Sequence, residues 1–186
     1  MKRFNVAKSS INDLRVIHRQ PISDERGYLE RVFCSDELKS IIGQRNVMQI
    51  NHTLTGKAGT VRGMHFQHPP YAEMKLVSCL RGEVFDVSID LRNGSPTFLH
   101  WHGEILSEKN HRTVCIPEGF AHGFQSLTDN CELLYLHTTT YSPDAEAGLN
   151  ALDARLAIKW PMPITERSLR DKQHTMLTSE FEGLFL

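Results

Sequence analysis

The segment Glu83-Val84-Phe85-Asp86-Val87-Ser88-Ile89-Asp90-Leu91 constrains the fold of this chain more than any other. Phe85, Val87, Ile89 and Leu91 alternate strictly with Asp86, Ser88 and Asp90. A period of two puts each set on one face of a strand, so the segment is predicted to be a half-buried β-strand. Lys75-Leu76-Val77-Ser78-Cys79-Leu80 precedes it, and Arg81-Gly82 between the two reads as a hairpin turn. Asn93-Gly94-Ser95-Pro96 is a further turn signal. Thr113-Val114-Cys115-Ile116 and Leu133-Leu134-Tyr135-Leu136-His137-Thr138-Thr139 read as further strands. Many short strands with turns between them predict an all-β sandwich, jelly roll or barrel.

One short helix is expected, capped by Ser35, with Leu38, Ile41 and Ile42 as its apolar stripe and Gly43 as its stop. The last third, with Pro143, Pro161 and Pro163, reads as loops and short helices laid over a barrel. The chain of 186 residues is read as one domain over 1–186, with its core at about 45–145 and both ends packed on that core. A formal net charge of -1 offers no basic field for nucleic acid. The basic start, Met1-Lys2-Arg3, is followed by no apolar signal region, and no run is long enough to span a membrane. Cys34, Cys79, Cys115 and Cys131 stand singly among apolar neighbours, which favours reduced core thiols over a disulfide or zinc framework. Together these features point to a cytoplasmic protein.

Two histidine segments carry the chemistry: Arg62-Gly63-Met64-His65-Phe66-Gln67 and Pro117-Glu118-Gly119-Phe120-Ala121-His122-Gly123-Phe124. A general base and a binding histidine in a barrel mouth suit this pattern; two structural histidines in the core are the plainer alternative. A metal cage is disfavoured. The partner at His-x-His spacing is Gln67, and an amide is a poor ligand for zinc or iron. His18, His52, His68, His100, His102, His111, His137 and His174 are scattered. His100-Trp101-His102 has the spacing but reads as a solvated strand edge. Taken singly, Lys75 is an ordinary surface lysine, Tyr135 a core tyrosine and Asp171 a loop carboxylate.

Taken jointly these residues resemble the dTDP-4-dehydrorhamnose 3,5-epimerase family of nucleotide-sugar epimerases. The matching segments are Asp24-Glu25-Arg26-Gly27, Gly59 to Gln67, Lys75-Leu76-Val77, Asp90-Leu91-Arg92, Ser95-Pro96-Thr97-Phe98, Ile116 to Phe124, Tyr135, Tyr141-Ser142-Pro143 and Ser168-x-Arg170-Asp171. The resemblance implies a cupin-type jelly roll with short flanking helices. It implies proton exchange beside a 4-keto group, with His65 as base, Asp171 as its carboxylate partner, Lys75 near the enolate oxygen and Tyr135 as the acid on the opposite sugar face. His122, Arg62 and Tyr141 match substrate-lining positions, and Arg26, Gln49 and Asn51 match nucleotide-side positions. No metal or organic cofactor is implied. A homodimer is, often with an exchanged N-terminal strand, and Arg15-Val16-Ile17-His18 is compatible with edge pairing.

Three departures from the family pattern stand out. Arg31 occupies a position where glutamate is common, with Glu30 on the other strand face. Ala151-Leu152-Asp153-Ala154 replaces a Trp-Asn-Asp-Pro loop, and Tyr141 stands without a second adjacent aromatic. They suggest altered substrate fit, which leaves epimerisation at carbon 3 alone, or another linked nucleotide, as the alternative within the class. Outside the class, the alternatives are a metal-dependent cupin enzyme or a non-catalytic sugar-binding cupin.

Overall fold

A computed structural model of the protein describes residues 2–186. In chain order the strands are β1 (Phe4–Lys8), β2 (Arg15–Arg19), β3 (Ile22–Asp24), β4 (Gly27–Leu29), β5 (Gln49–Thr55), β6 (Val61–Gln67), β7 (Lys75–Arg81), β8 (Glu83–Asp90), β9 (Trp101–Ser107), β10 (Arg112–Ile116), β11 (Phe120–Ser126), β12 (Cys131–His137) and β13 (Glu146–Gly148). The helices are α1 (Lys39–Ile42) and α2 (Leu169–Gln173). One sheet has the order β1-β2-β10-β7-β12-β5, and the other β13-β6-β11-β8-β9. The two sheets form a jelly roll, and β3 and β4 make a separate hairpin.

The expected strand at Glu83–Leu91 forms, but it is not half-buried. Its acidic face is as buried as its apolar one: Asp86, Ser88 and Asp90 are all closed off from water. The sides are also the reverse of a simple amphipathic strand. Val84 joins Val77, Cys79, Phe124 and Leu133 in one core cluster, so Asp86, Ser88 and Asp90 share the face turned to the barrel interior. Val87, Ile89 and Leu91 turn outward, where Leu156, Leu177 and Leu184 of the C-terminal segment cover them. A strand whose two faces are covered by different layers needs partners for its polar side chains, because a bare buried carboxylate is costly.

Arg81-Gly82 is not a hairpin turn. β7 pairs with β10 and β12, whereas β8 pairs with β9 and β11, so the turn carries the chain from one sheet to the other. The helix is shorter than expected and Ser35 does not cap it. Leu38 holds the N-cap position without a side-chain bond, and Gly43 ends the helix. Leu38 and Ile42 still bury against Leu76, Cys115 and Leu136 on the outer side of the first sheet. β2 is not an edge: β1 and β10 flank it on both sides. The four cysteines are free thiols, with Cys34 half-buried and the other three buried. Among the described residues no helix is long and apolar enough to cross a membrane.

Candidate active site

Arg62 and His65 are three residues apart on β6, so a regular strand would point them to opposite faces. A bulge cancels that. His122 pairs with His65 but Phe124 pairs with Arg62, so two steps on β11 face three on β6. Gly63 makes the bulge possible with a φ of 128°, and a Cβ there would lie 2.6 Å from the Cα of Gly123. Both side chains thereby line one cleft of about 640 Å³.

That cleft collects most of the residues singled out in the sequence. Gln49, Asn51, Arg62, His65, Lys75, His122, Tyr135 and Tyr141 all line it. Asp171 lies just behind His65. Its Oδ1 is 2.8 Å from His65 Nε2, and its Oδ2 accepts the Gly63 N–H at 3.3 Å. Burial works against charge on Asp171, but the bonds from His65 and Gly63 outweigh it and hold the carboxyl below its usual range. Asp171 is therefore an acceptor, His65 Nε2 carries a proton, and the lone pair of the neutral ring is left on Nδ1.

Lys75 is buried and pairs with Glu73 at 2.9 Å. Glu73 also accepts from His137 Nδ1 at 2.8 Å. Burial disfavours its charge, yet the His137 bond and the Lys75 ammonium prevail and keep the carboxyl low. Tyr135 stands between His122, edge-on at 6.0 Å, and His137, stacked at 6.0 Å. Burial pushes its phenol upward, so the hydroxyl stays protonated at neutral pH. His122 Nε2 contacts Asp86 at 2.7 Å, which accounts for one of the inward carboxylates of β8.

The cleft continues to Tyr141, whose hydroxyl donates to Glu146 at 2.8 Å. Glu146 holds Arg170 at 2.9 Å, and Arg170 reaches within 3.4 Å of His65 Nε2. Gln49 accepts the Tyr141 N–H at 3.0 Å and donates to Asn51 at 3.1 Å. Of the cations that line the cleft, Lys75 is paired with Glu73 and Arg170 with Glu146, while among the described residues Arg62 reaches only the Leu54 carbonyl, so an anionic ligand would meet its forked donors first.

Arg26 is not brought here. It sits at the tip of the exposed β3–β4 hairpin, paired with Asp24. The loop at residues 150–154 does not line the cleft either. Ala151 is buried under the second sheet, and its carbonyl accepts from Trp160. Arg31 pairs with Glu37, while Glu30 holds the buried Arg19 and His111. Gln67 uses its amide to brace the loop around it, accepting from Ser142 N at 2.7 Å.

Sequence reasoning missed Glu73 and Glu146, quoted Arg170 only as part of a matching segment, and left His137 and His174 among scattered histidines. The His174 ring lies edge-on to His65 at 5.7 Å between centroids. Arg170 and His174 flank Asp171 on α2 and beyond it, so their place could have been read once Asp171 was assigned.

A jelly-roll barrel whose mouth holds a histidine–carboxylate pair, a phenol, a buried lysine and two arginines has the make-up of an enzyme site built for proton exchange. Residues 8–179 match the family model described as dTDP-4-dehydrorhamnose 3,5-epimerase. The dTDP-4-dehydrorhamnose 3,5-epimerase of Shigella flexneri is 42% identical over 160 residues, covering 86% of this chain and 88% of that one. A dTDP-6-deoxy-D-glucose-3,5-epimerase structure from Legionella pneumophila, in complex with dTDP-4-keto-L-rhamnose, superposes with a TM-score of 0.91 at 36% identity over 98% of this chain and 99% of that one. A 3'-monoepimerase from Streptomyces bikiniensis in complex with dTDP-quinovose gives 0.83 at 31% identity, over 90% and 85% of the two chains. The chain belongs to the dTDP-4-dehydrorhamnose 3,5-epimerase family, whose members act on nucleotide sugars.

Proposed function

We propose that this protein epimerises a dTDP-4-keto-6-deoxyhexose at carbons 3 and 5, as a step in deoxysugar formation. The observation that carries this reading is the His65–Asp171 pair, 2.8 Å apart, in the same cleft as Tyr135 and Lys75. His65 Nδ1 removes a proton from the carbon beside the ketone, and the electron pair moves onto the ketone oxygen. Asp171 orients the ring and stabilises the imidazolium that forms. Lys75 offers charge to the developing oxyanion, and its burial strengthens that interaction. Tyr135, kept protonated by burial, returns a proton from the other face, which inverts the carbon. The substrate's own ketone takes up the electron pair, so the mechanism asks for no cofactor.

Arg62 and Arg170 would meet the diphosphate with forked donors. Gln49, Asn51 and Tyr141 lie where a base or ribose would follow, with His122 beside the sugar. Arg26 reaches a cleft only in a homodimer, where the β3–β4 hairpin of one subunit enters the site of the other. The exposed apolar residues of that hairpin support this reading, Tyr28 at 60% and Leu29 at 72% exposure.

Deuterium uptake from D₂O into dTDP-4-keto-6-deoxyglucose, followed by NMR, tests the proposal. Label at carbons 3 and 5 is expected. Label at carbon 3 alone would make the protein a 3-epimerase, a reading that the likeness to a 3'-monoepimerase keeps in view. Label at neither carbon would overturn both.

A further inference from the structure

We propose that His65, Asp171 and His174 form a binding site for one divalent transition-metal ion, best suited to zinc, whose occupancy switches the catalytic base off. Three ligand atoms, one from each residue, lie within 4.8 Å of one another. Asp171 Oδ1 is the hub, 2.8 Å from His65 Nε2 and 3.7 Å from His174 Nε2. A zinc ion bonded to nitrogen and oxygen at about 2.0–2.2 Å holds its donors roughly 3.3–3.5 Å apart, so small side-chain adjustments close the site. Two imidazoles and a carboxylate are the donors that zinc and its neighbours favour, and three protein ligands leave a position for water.

His174 makes this cluster more than a hydrogen-bonded pair. Its Nε2 is buried and finds no hydrogen-bond partner among the described residues. A buried polar nitrogen without a partner is costly and calls for one. The fold also makes room for the ring: Gly148 pairs with His65 across β13 and β6, and a Cβ at 148 would overlap His174. The local charge suits a dication. Asp171 and Glu146 contribute two negative charges against the single positive charge of Arg170. Arg170 Nη2, 3.4 Å from His65 Nε2, is on an exposed side chain already held by Glu146 and can withdraw toward it.

The consequence for turnover follows from the imidazole itself and rests on the proposed role of His65 as base. A metal on Nε2 takes the lone pair there, so the ring proton must sit on Nδ1. Nδ1 is the atom that has to accept the substrate proton, and a protonated nitrogen cannot. Asp171, bound to the metal, no longer orients the ring. The ion thus blocks the chemistry without filling the cleft.

Titration of the full-length protein with Zn²⁺, and with Co²⁺ as the visible probe, tests the site independently of activity. One equivalent is expected to bind, with Co²⁺ absorption bands showing nitrogen and oxygen coordination. His174→Ala, and His174→Gln with nearly native volume, should each weaken binding at least tenfold while circular dichroism stays unchanged. Zn²⁺ should inhibit wild-type deuterium exchange, EDTA should reverse it, and both His174 variants should resist it. Equal metal affinity in wild type and both variants would overturn the site. Tight His174-dependent binding with undiminished exchange would overturn the switch. A wild type that binds metal through His174 but exchanges no proton even with EDTA would uphold the site and sink the epimerase reading instead.

Discussion

At the residue scale, the proposed mechanism makes His65 and Asp171 a unit, because the carboxylate fixes which ring nitrogen keeps its lone pair. His65→Asn and Asp171→Asn are each expected to lower kcat by about 10²–10⁴-fold, with KM little changed. Steady-state rates on the 4-keto sugar check this, and an Asp171→Asn enzyme of full rate would remove the carboxylate from the mechanism. In the proposed mechanism Tyr135 acts at the other half-reaction. Tyr135→Phe should still exchange the substrate proton for deuterium, through His65, but accumulate little inverted product. NMR separates the two, and normal inversion in the variant would assign the acid elsewhere. Neither residue stood out singly in the sequence. Tyr135 sits in an apolar run and Asp171 in a charged turn, so only their place in a matching set of segments marked them. His174 escaped even that, since nothing in a linear sequence shows that a ring will land beside Gly148.

At the element scale, β8 is the informative strand. Its alternation was legible, but the alternation fixed only which residues share a face. That the outer face is covered depends on Leu156, Leu177 and Leu184, more than sixty residues away. Ile89, fully buried beneath that layer, should cost about 2–5 kcal/mol when cut to Ala. Chemical denaturation measures it, and a loss well under 1 kcal/mol would mean the C-terminal segment does not pack there in solution. The inward face makes a pH prediction. Asp90 accepts from Arg92 at 2.8 Å, Ser95 at 2.6 Å and Thr97 at 2.7 Å. Burial opposes its charge, but these bonds prevail and hold the carboxyl below its usual range. A depressed folded pKa contributes stability that is fully present above the unfolded value of about 4 and is lost as pH falls through the folded one. Asp90→Asn should therefore cost about 1–3 kcal/mol near neutral pH, with the gap to wild type closing under acid. A gap that stays constant down to about pH 3 would show that the carboxylate charge is not what stabilises the turn.

At the scale of the whole molecule, two exposed apolar surfaces stand out among the described residues. One is the β3–β4 hairpin, and the other is β5 with its flank, where Met48, Ile50 and Leu54 are each more than half exposed. Patches of this kind mark contact surfaces more often than free ones. A homodimer is expected in sedimentation over a dilution series. Exchange of the hairpin makes a sharper prediction by subunit complementation. His65→Ala and Arg26→Ala homodimers should both be impaired, yet refolding them together should restore activity. With the hairpin exchanged, a mixed dimer would have one cleft with His65 of its own chain and Arg26 from the other. Mixtures no better than the average of the two parents would show that Arg26 serves no partner's site.

The sequence by itself determined the strand-rich class, the alternation of β8, the stop at Gly43 and, through its segment pattern, the family and most of the cleft. These are local or collinear properties, carried by backbone conformational preference and by motifs that keep their order along the chain. Tertiary structure alone decided that Arg81-Gly82 crosses between sheets, and that the acidic face of β8 points into the barrel rather than to water. It also decided that a bulge brings Arg62 and His65 to one wall, and that Arg26 faces away from the cleft of its own chain. Each of these depends on which strand lies beside or above another, and a pairing between residues far apart in the chain leaves no mark on either partner's own neighbourhood. His174 is the clearest instance: its ring meets His65 only because β13 places a glycine, and not a side chain, across from the base.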